Sequence, residues 1–352
     1  MTSNAAPESL TNLTVRLASR PQGEPTVANF ALDVEPVEEP GPDQVLLRTI
    51  YLSLDPYMRG RMSDAESYAV PVPVGGVMEG GTVCQVVASR SDMHEVGDIV
   101  LAHTGWQQYA VASDKAVRRI DPARGPISTA LGVLGMPGFT AYAGLLVIGD
   151  PQPTETVVVA AAAGPVGSAV GQIAQIKGAR AVGIAGGPEK VAYVKDELGF
   201  EVALDHRSPD FVDELAEATP EGIDVYFENV GGKVFEAVLP RMNEFGRIPV
   251  CGLVSQYNAT GLPEGPNLAP ALMNRILVRS LTVRGFIQRE FVKAHYRQFQ
   301  QDMGEWLSAG TVRYKEDVVQ GLENAPEAFL GMLQGANFGK LVVQVGADPT
   351  KP

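Results

Sequence analysis

The stretch VVVAAAAGPVGSAVGQIAQI (157–176) runs for twenty residues without a charge, which is long enough to cross a bilayer. A membrane helix would carry Gly164-Pro165 near its middle, and the backbone groups released by the proline would find no partner in lipid. A strand, a tight turn and a helix use every one of these residues. Residues 157–161 read as a short strand buried on both faces, and 166–177 as a helix with Val170, Ile173, Ala174 and Lys177 at helical spacing. The turn between them is Ala162-x-Gly164-x-x-Gly167, a variant of the GxGxxG phosphate turn with alanine in its first slot. In that reading Gly164, Pro165, Val166 and Gly167 form the turn that receives a pyrophosphate. Gly164 lets the backbone approach it, Gly167 and Gly171 let the helix sit close to the sheet, and the first helical amides face the phosphates.

Working outward, six β-rich apolar runs alternate with potentially helical stretches after residue 145. They are TVVVAA (156–161), ARAVGIA (179–185), EVALD (201–205), IDVYFE (223–228), RIPVCG (247–252) and LTVRGF (281–286). This alternation predicts a doubly wound parallel sheet, with irregular pairing at Pro249, which has no N–H to donate to a ladder. Before residue 135 the pattern differs. Short apolar runs (VLLRTIYLSL, GTVCQVVAS, DIVLAHTGWQQYAVA) are separated by Gly, Pro and Asp clusters, the mark of an all-β unit. After 309 come a strand-like TVRYKEDVV, a short helix PEAFLGMLQG and a last strand KLVVQV. The expected organisation is thus a β domain over 1–135, a nucleotide-binding α/β domain over 136–309 and a return segment over 310–352.

Composition narrows the function. The chain has 352 residues, 45% of them hydrophobic, and a net charge of −13. A nucleic-acid backbone or an anionic lipid surface would be repelled by such a protein, and no run of Lys and Arg offsets the charge. The first residues, MTSNAAPESLTNLTV, hold neither a basic segment nor an apolar h-region, so a cytoplasmic location is expected. With only Cys84 and Cys251, and with His94, His103, His206 and His295 scattered, no metal site is expected.

The end of the second strand of the α/β domain selects the cofactor. Sites for NAD place an Asp or Glu there to hold the ribose 2′-hydroxyl. Here the residues are GIAGGPEK (183–190), with Ala185, Gly186 and Gly187 in place of the carboxylate and Lys190 in the first turn of the next helix. Space plus a cation suits a 2′-phosphate, so NADPH is favoured over NADH, although Glu189 stands beside the lysine. Asn229 and Cys251 close the fourth and fifth strands, and ligands of doubly wound sheets lie beyond those carboxyl ends. Nothing cationic neighbours Cys251 in sequence, so it is expected to contribute its backbone rather than a reactive thiol.

These residues resemble the zinc-free medium-chain dehydrogenase/reductases, and among them the prostaglandin/leukotriene reductase branch of alkenal double-bond reductases. The resemblance is carried by YLSLDPYMRGRM (51–62), VLGMPGFTAYAGL (133–145), AAAAGPVG (160–167), FENVGGKVF (227–235), CGLVSQYNAT (251–260), GLENAP (321–326) and NFGKLVV (337–343). It implies a GroES-like β domain joined to a Rossmann domain, a homodimer, and NADPH-dependent reduction of the C=C bond of α,β-unsaturated ketones and aldehydes. By the same resemblance Gly164 to Gly167 hold the pyrophosphate and Lys190 the 2′-phosphate. Asn229 lines the cofactor groove, Cys251, Gly252, Ser255 and Tyr257 run along the nicotinamide half, and Phe286 to Gln288 and Asn337 complete the seat. His206 is a departure, standing where relatives place a tyrosine on the adenosine phosphate; His206 or Arg207 is a candidate to substitute, and the resemblance leaves that contact open. Tyr257 becomes the leading catalytic residue. Tyr57 is second, lining the substrate cleft with Arg59 or packing structurally beside Asp55.

The chemistry asked of such a site is modest. Hydride addition to the β-carbon of an enone leaves an enolate, charge gathers on the carbonyl oxygen, and the α-carbon gains a proton. A tyrosine hydroxyl with an ordinary pKa of about 10 stays protonated at neutral pH and can donate to that oxygen or carbon. Two other readings compete: an NADPH quinone reductase on the same fold, and a noncatalytic NADPH-binding sensor. The loops 63–76 and 260–270 are expected to shape the substrate site.

Overall fold

The computed structural model describes residues 10–261 and 267–351; the middle of the 260–270 loop lies outside them. The chain forms two compact units. One comprises residues through Leu131, Val318–Ala336 and the stretch from Leu341 onward, and the other comprises Gly132–Asp317 and Asn337–Lys340.

In the first unit β1 (Thr11–Leu17) and β2 (Phe30–Pro36) form an antiparallel pair. β3 (Gln44–Ser53), β4 (Thr82–Ser89), β5 (Ile99–Ala102), β6 (Tyr109–Ser113) and β7 (Arg118–Arg119) build a second sheet. A single helical turn, α1 (Met58–Arg61), follows β3.

The second unit contains α2 (Met136–Ala143), β8 (Thr156–Ala160), α3 (Pro165–Ile176), β9 (Arg180–Ala185), α4 (Pro188–Ala192), β10 (Val202–Asp205) and α5 (Phe211–Ala218). It continues through β11 (Ile223–Phe227), α6 (Gly232–Val238), β12 (Met242–Val250), α7 (Ala269–Val278), β13 (Thr282–Gly285) and α8 (Val292–Ser308). The chain then runs through β14 (Glu316–Gln320), α9 (Ala325–Leu333) and β15 (Lys340–Gln344). The larger β sheet has the order β14-β15-β3-β4-β5-β7, with β6 also paired to β3. The returning helix is fastened to the first unit's core by rings: Trp106 stacks on Phe30 at 5.7 Å and meets Phe329 of α9 edge-on at 5.6 Å.

All six runs read as strands of the α/β domain are strands, and they pair in parallel in the order β10-β9-β8-β11-β12-β13. Helices cover both faces. Val157 and Val159 point into one core with Val170 and Ile173 of α3, while Val158 and Ala160 point into another with Leu215 of α5 and Val238 of α6. A strand buried on both faces cannot alternate apolar with polar, which is why 157–160 is continuously apolar. The two glutamines of the opening stretch are also accounted for. Buried Gln172 donates to the Arg313 carbonyl at 2.9 Å and accepts from the Arg313 N–H at 2.8 Å. Gln175, nearer solvent, donates to the Gly199 carbonyl at 2.9 Å.

The expectation for Pro249 needs correction. Pro249 keeps regular register opposite Arg284, and its carbonyl accepts from the Glu228 N–H at 3.0 Å. The irregularity lies earlier in β12, where pairing with β11 shifts between Met242 and Arg247 and Phe245 adopts a left-handed φ of 64°. A strand interior tolerates one missing donor more readily than the sharp turn that precedes it tolerates regular pairing.

The helix α3 sits close to the sheet because two of its residues lack a Cβ. A Cβ on Gly167 would lie 2.3 Å from the Ala161 carbonyl oxygen, and one on Gly171 would lie 1.8 Å from the Phe200 ring. Replacing Gly171 by Ala is therefore expected to destabilise the protein by about 1–3 kcal/mol through overpacking. Urea denaturation checks this, and Phe200→Leu in the same background should recover part of the loss.

Candidate active site

The glycine turn leaves β8 through Ala161, itself left-handed at φ 53°, and Gly164 caps α3 in extended conformation. Around Gly164 the only atom near a built Cβ is the Ala161 carbonyl oxygen, 3.3 Å away. The turn is thus open on its outer side, and the first-turn amides of Val166 and Gly167 have no acceptor within their own helix. An anionic group fits this cradle by charge and by room.

At the ends of β9 and β10 lies a basic pocket. Gly186 is crossed by two side chains: a Cβ built on it would stand 2.8 Å from His206 Nε2 and 3.2 Å from Arg207 Nε. Asp205 ties the two loops together, its Oδ1 accepting from the Gly187 N–H at 3.0 Å and the Arg207 N–H at 2.9 Å. Lys190 of α4 faces the same place. Partial burial and then Arg207 lower its pKa, while Asp317 and Glu189 oppose them.

A third group sits at the ends of β8, β11 and β12. Asn229 donates from Nδ2 to the Ala160 carbonyl at 2.8 Å, linking β11 to the last residue of β8. Cys251 and Gly252 donate their N–H groups to the Glu228 carbonyl at 2.9 and 3.1 Å. Ser255 donates its hydroxyl to the Val230 carbonyl at 2.5 Å. A Cβ at Gly252 would come within 3.3 Å of the Tyr257 hydroxyl and 3.4 Å of the Asn229 carbonyl oxygen, so Tyr257 lies directly over the Gly252 backbone. Burial, with Glu228 second, pushes the Cys251 thiol up to about 12, which leaves it unreactive as a nucleophile at neutral pH.

The structure therefore gathers Asn229, Cys251, Gly252, Ser255 and Tyr257 in one place. Phe286 enters the core instead: its ring packs with Phe227 at 6.3 Å and Phe291 at 6.0 Å, so only its backbone remains to serve a ligand. Asn337 donates to the Gly339 carbonyl at 2.9 Å, and its neighbour Phe338 stands edge-on to Tyr193 at 4.9 Å. In the first unit, burial followed by Asp55 and Glu79 pushes the Tyr57 hydroxyl well above its ordinary pKa. Of the cations beside Tyr57, Arg61 pairs with Glu79 at 2.6 Å and Arg59 donates to the Gly23 carbonyl at 2.6 Å. Asp55 accepts a short hydrogen bond from the Ser53 hydroxyl. Among the described residues no group of three or more His, Cys, Asp and Glu side chains is placed to hold a metal ion.

Glu228 was not singled out from the sequence. It is almost wholly buried, and its Oε1 accepts from the Val230 and Gly231 N–H groups at 2.6 and 2.8 Å, closing the turn that carries Asn229. The legible signal was an acid following the apolar Val225-Tyr226-Phe227 at the end of the strand, which is out of place unless the carboxyl is used.

Strand order, glycine turn and basic pocket together define a dinucleotide-binding α/β protein. Residues 14–120 match the family described as the N-terminal domain of oxidoreductase, and residues 165–309 match that described as zinc-binding dehydrogenase. The chain is 55% identical over 333 residues to the NADPH-dependent curcumin reductase of Escherichia coli (strain K12), covering 94% of this chain and 96% of that protein. It is 42% identical over 328 residues to prostaglandin reductase 1 of Rattus norvegicus, covering 92% and 96%. The crystal structure of CurA in complex with NADPH from Vibrio vulnificus superposes with a TM-score of 0.93 at 54% identity, covering 96% of this chain and all of that one, 100%. The chain belongs to the medium-chain dehydrogenase/reductase family, in its prostaglandin reductase branch.

Replacing Glu228 by Ala strands two buried amides and is expected to cost about 2–4 kcal/mol, whereas Glu228→Gln keeps an acceptor and should cost under about 1 kcal/mol. Burial raises the Glu228 pKa in the folded state. The folded protein thus holds a proton that the unfolded chain has lost, and this contribution to stability disappears as pH rises through the folded pKa. Urea titrations across that range should show wild type losing stability with rising pH relative to Glu228→Gln.

Proposed function

We propose that this protein reduces the carbon–carbon double bond of α,β-unsaturated ketones and aldehydes, curcumin-like enones and alkenals among them, using NADPH. The observation that carries this reading is that similarity to the curcumin and prostaglandin reductases runs through more than nine-tenths of the chain, 94% and 92%. Bound NADPH supplies a hydride; the chain's own residues bind, orient and protonate. Gly164, Pro165, Val166 and Gly167 hold the pyrophosphate at the amino end of α3, and Lys190 holds the 2′-phosphate. Asn229, Cys251, Gly252, Ser255 and Tyr257 form the seat of the nicotinamide half, with the backbone at Phe286 and the amide of Asn337 completing the site.

Tyr257 is the proposed hydrogen-bond or proton donor to the substrate. Its hydroxyl lies over Gly252, at the carboxyl end of β12, where ligands of doubly wound sheets are received. A single donor aimed at a developing oxyanion is worth about 10²–10³ in rate. Tyr57 is the proposed second residue; burial pushes its hydroxyl well above its ordinary pKa, so it keeps its proton at neutral pH. The proposal extends to a cytoplasmic setting, which the unpaired cysteines Cys84 and Cys251 support.

A homodimer belongs to the same reading. β13 is the edge of the parallel sheet, and all four of its residues are exposed. Beside it α7 presents Met273, Leu277 and Val278 to solvent, with Leu277 77% exposed. An open sheet edge flanked by exposed apolar side chains is normally covered or paired. Val283→Lys, on that edge, is expected to convert the dimer to monomer in analytical ultracentrifugation without unfolding it.

The activity is tested by following NADPH consumption with an aromatic enone, a short alkenal and a quinone, and identifying products by mass. Saturated ketone or aldehyde is expected, and turnover of the quinone alone would overturn the reading. Tyr257→Phe is expected to lower kcat by about 10²–10³ while still binding NADPH. Full turnover by that variant would remove Tyr257 from the chemistry.

A further inference from the structure

The turn between β11 and α6 is built around a side chain. After Phe227 the chain passes through Gly231 and Gly232, both left-handed at φ 76° and 56°. The Val230 and Gly231 N–H groups converge on one oxygen of Glu228, at 2.6 and 2.8 Å. Successive amides arranged in this way form a cup for an electron-rich atom. The chain fills the cup itself, with a carboxyl on a residue only 1% exposed.

The carbonyls of the same turn hold a second segment. That of Glu228 receives the Cys251 and Gly252 amides, and that of Asn229 receives the Val254 N–H at 3.2 Å. The Val230 carbonyl accepts from the Ser255 N–H at 3.0 Å and from the Ser255 hydroxyl at 2.5 Å. The Tyr257 N–H then donates to the Val254 carbonyl at 3.3 Å. Contact is close as well: a Cβ on Gly231 would lie 3.2 Å from Leu253 Cδ2 and 3.3 Å from Ser255 Oγ, so the 251–257 segment rests directly on the turn. That segment has a single short helical turn of its own, Val254–Gln256. Its place is therefore dictated by the carbonyls to which it is bonded.

We propose that Glu228 is a positioning residue for the reduction: by holding the 229–231 turn it fixes the 251–257 segment, and through it the place of the Tyr257 hydroxyl over Gly252. The inference rests on the reading of Tyr257 as the donor and adds to it the residue that aims that donor. Glu228 acts through the backbone, and its carboxyl touches neither substrate nor cofactor. Without an oxygen at this point the Val230 and Gly231 amides lose their acceptor, and the turn has to shift to find another. A misplacement of about 1 Å at a reacting group costs on the order of 10² in rate. The phosphate turn at 164–167 and Lys190 belong to other strand ends, so turnover suffers far more than cofactor affinity.

The test compares Glu228→Leu, Glu228→Gln, Tyr257→Phe and the double variant Glu228→Leu/Tyr257→Phe in the whole protein. It measures kcat and KM for an aromatic enone and the dissociation constant of NADPH by fluorescence titration. Rates are expressed per NADPH-binding site, so an unfolded fraction does not register as slow enzyme. Glu228→Leu is expected to lower kcat about 30- to 100-fold, with the NADPH dissociation constant changed by less than about fivefold. Glu228→Gln retains an oxygen for the two amides and should keep kcat within about threefold of wild type. In the Tyr257→Phe background Glu228→Leu should cost less than about threefold more, because a hydroxyl already absent cannot be misplaced. Glu228→Asp, one methylene shorter, replaces the Leu variant if that does not fold, with a smaller loss expected and the same dependence on Tyr257. Equal losses with and without the Tyr257 hydroxyl, a loss confined to NADPH affinity or to the number of binding sites, or full turnover by Glu228→Leu would overturn the proposal and leave Tyr257 as the donor. Full turnover by Tyr257→Phe would instead overturn the reading of Tyr257 itself.

Discussion

The structure of the α/β unit depends on how closely α3 approaches the sheet. Gly167 rests on the Ala161 backbone and Gly171 lies under the Phe200 ring, at separations no side chain could occupy. That contact sets the height of the helix over β8 and β9, and hence where its amino end emerges. At this contact Ala161 adopts a left-handed conformation, a local strain of about 1–3 kcal/mol that the surrounding packing has to offset. An anion site made of backbone amides is only as accurate as the helix that presents them, so binding geometry and core packing here are one constraint.

A second constraint operates at the other strand ends. Glu228 is a buried carboxyl that closes a turn, and the turn holds Asn229, whose amide reaches back to β8. The Glu228 carbonyl in turn receives the amides of Cys251 and Gly252. Three strand ends are thereby cross-linked by hydrogen bonds inside a low-dielectric setting, where such bonds are strong and their loss expensive. Tyr257 stands on this platform. The basic pocket at Gly186 is built differently, from side chains on exposed loops held by Asp205, and is correspondingly able to respond to a ligand's charge.

Several features could be read directly from the residues. The order of apolar runs, the glycine turn and the absence of a carboxylate after the second strand are local or periodic signals, and all six strands formed where those signals lay. Lys190 and Asn229 could be placed because strand ends in a doubly wound sheet converge by topology. Other features gave no such signal. A burial pattern does not state whether an aromatic at a strand end turns outward or inward, and Phe286 turns into the core against Gly144 and Phe227. The irregularity assigned to Pro249 fell at Phe245 because a turn's backbone geometry depends on the two strands it joins.

What the sequence by itself determined was the set of elements, their alternation and the phosphate turn, since backbone conformation and one-dimensional periodicity follow from residue type. Only the tertiary structure decided that His206 and Arg207 cross Gly186, that Glu228 is buried with two amides on one oxygen, and that the Tyr257 hydroxyl lies over Gly252. Those relations join residues from 2 to 21 positions apart in the chain, or hang on a rotamer, and they arise from which surfaces meet when the sheet is closed by its helices. Side-chain direction at such meetings is chosen by the packing of neighbours on other elements, and no local pattern in the chain encodes it.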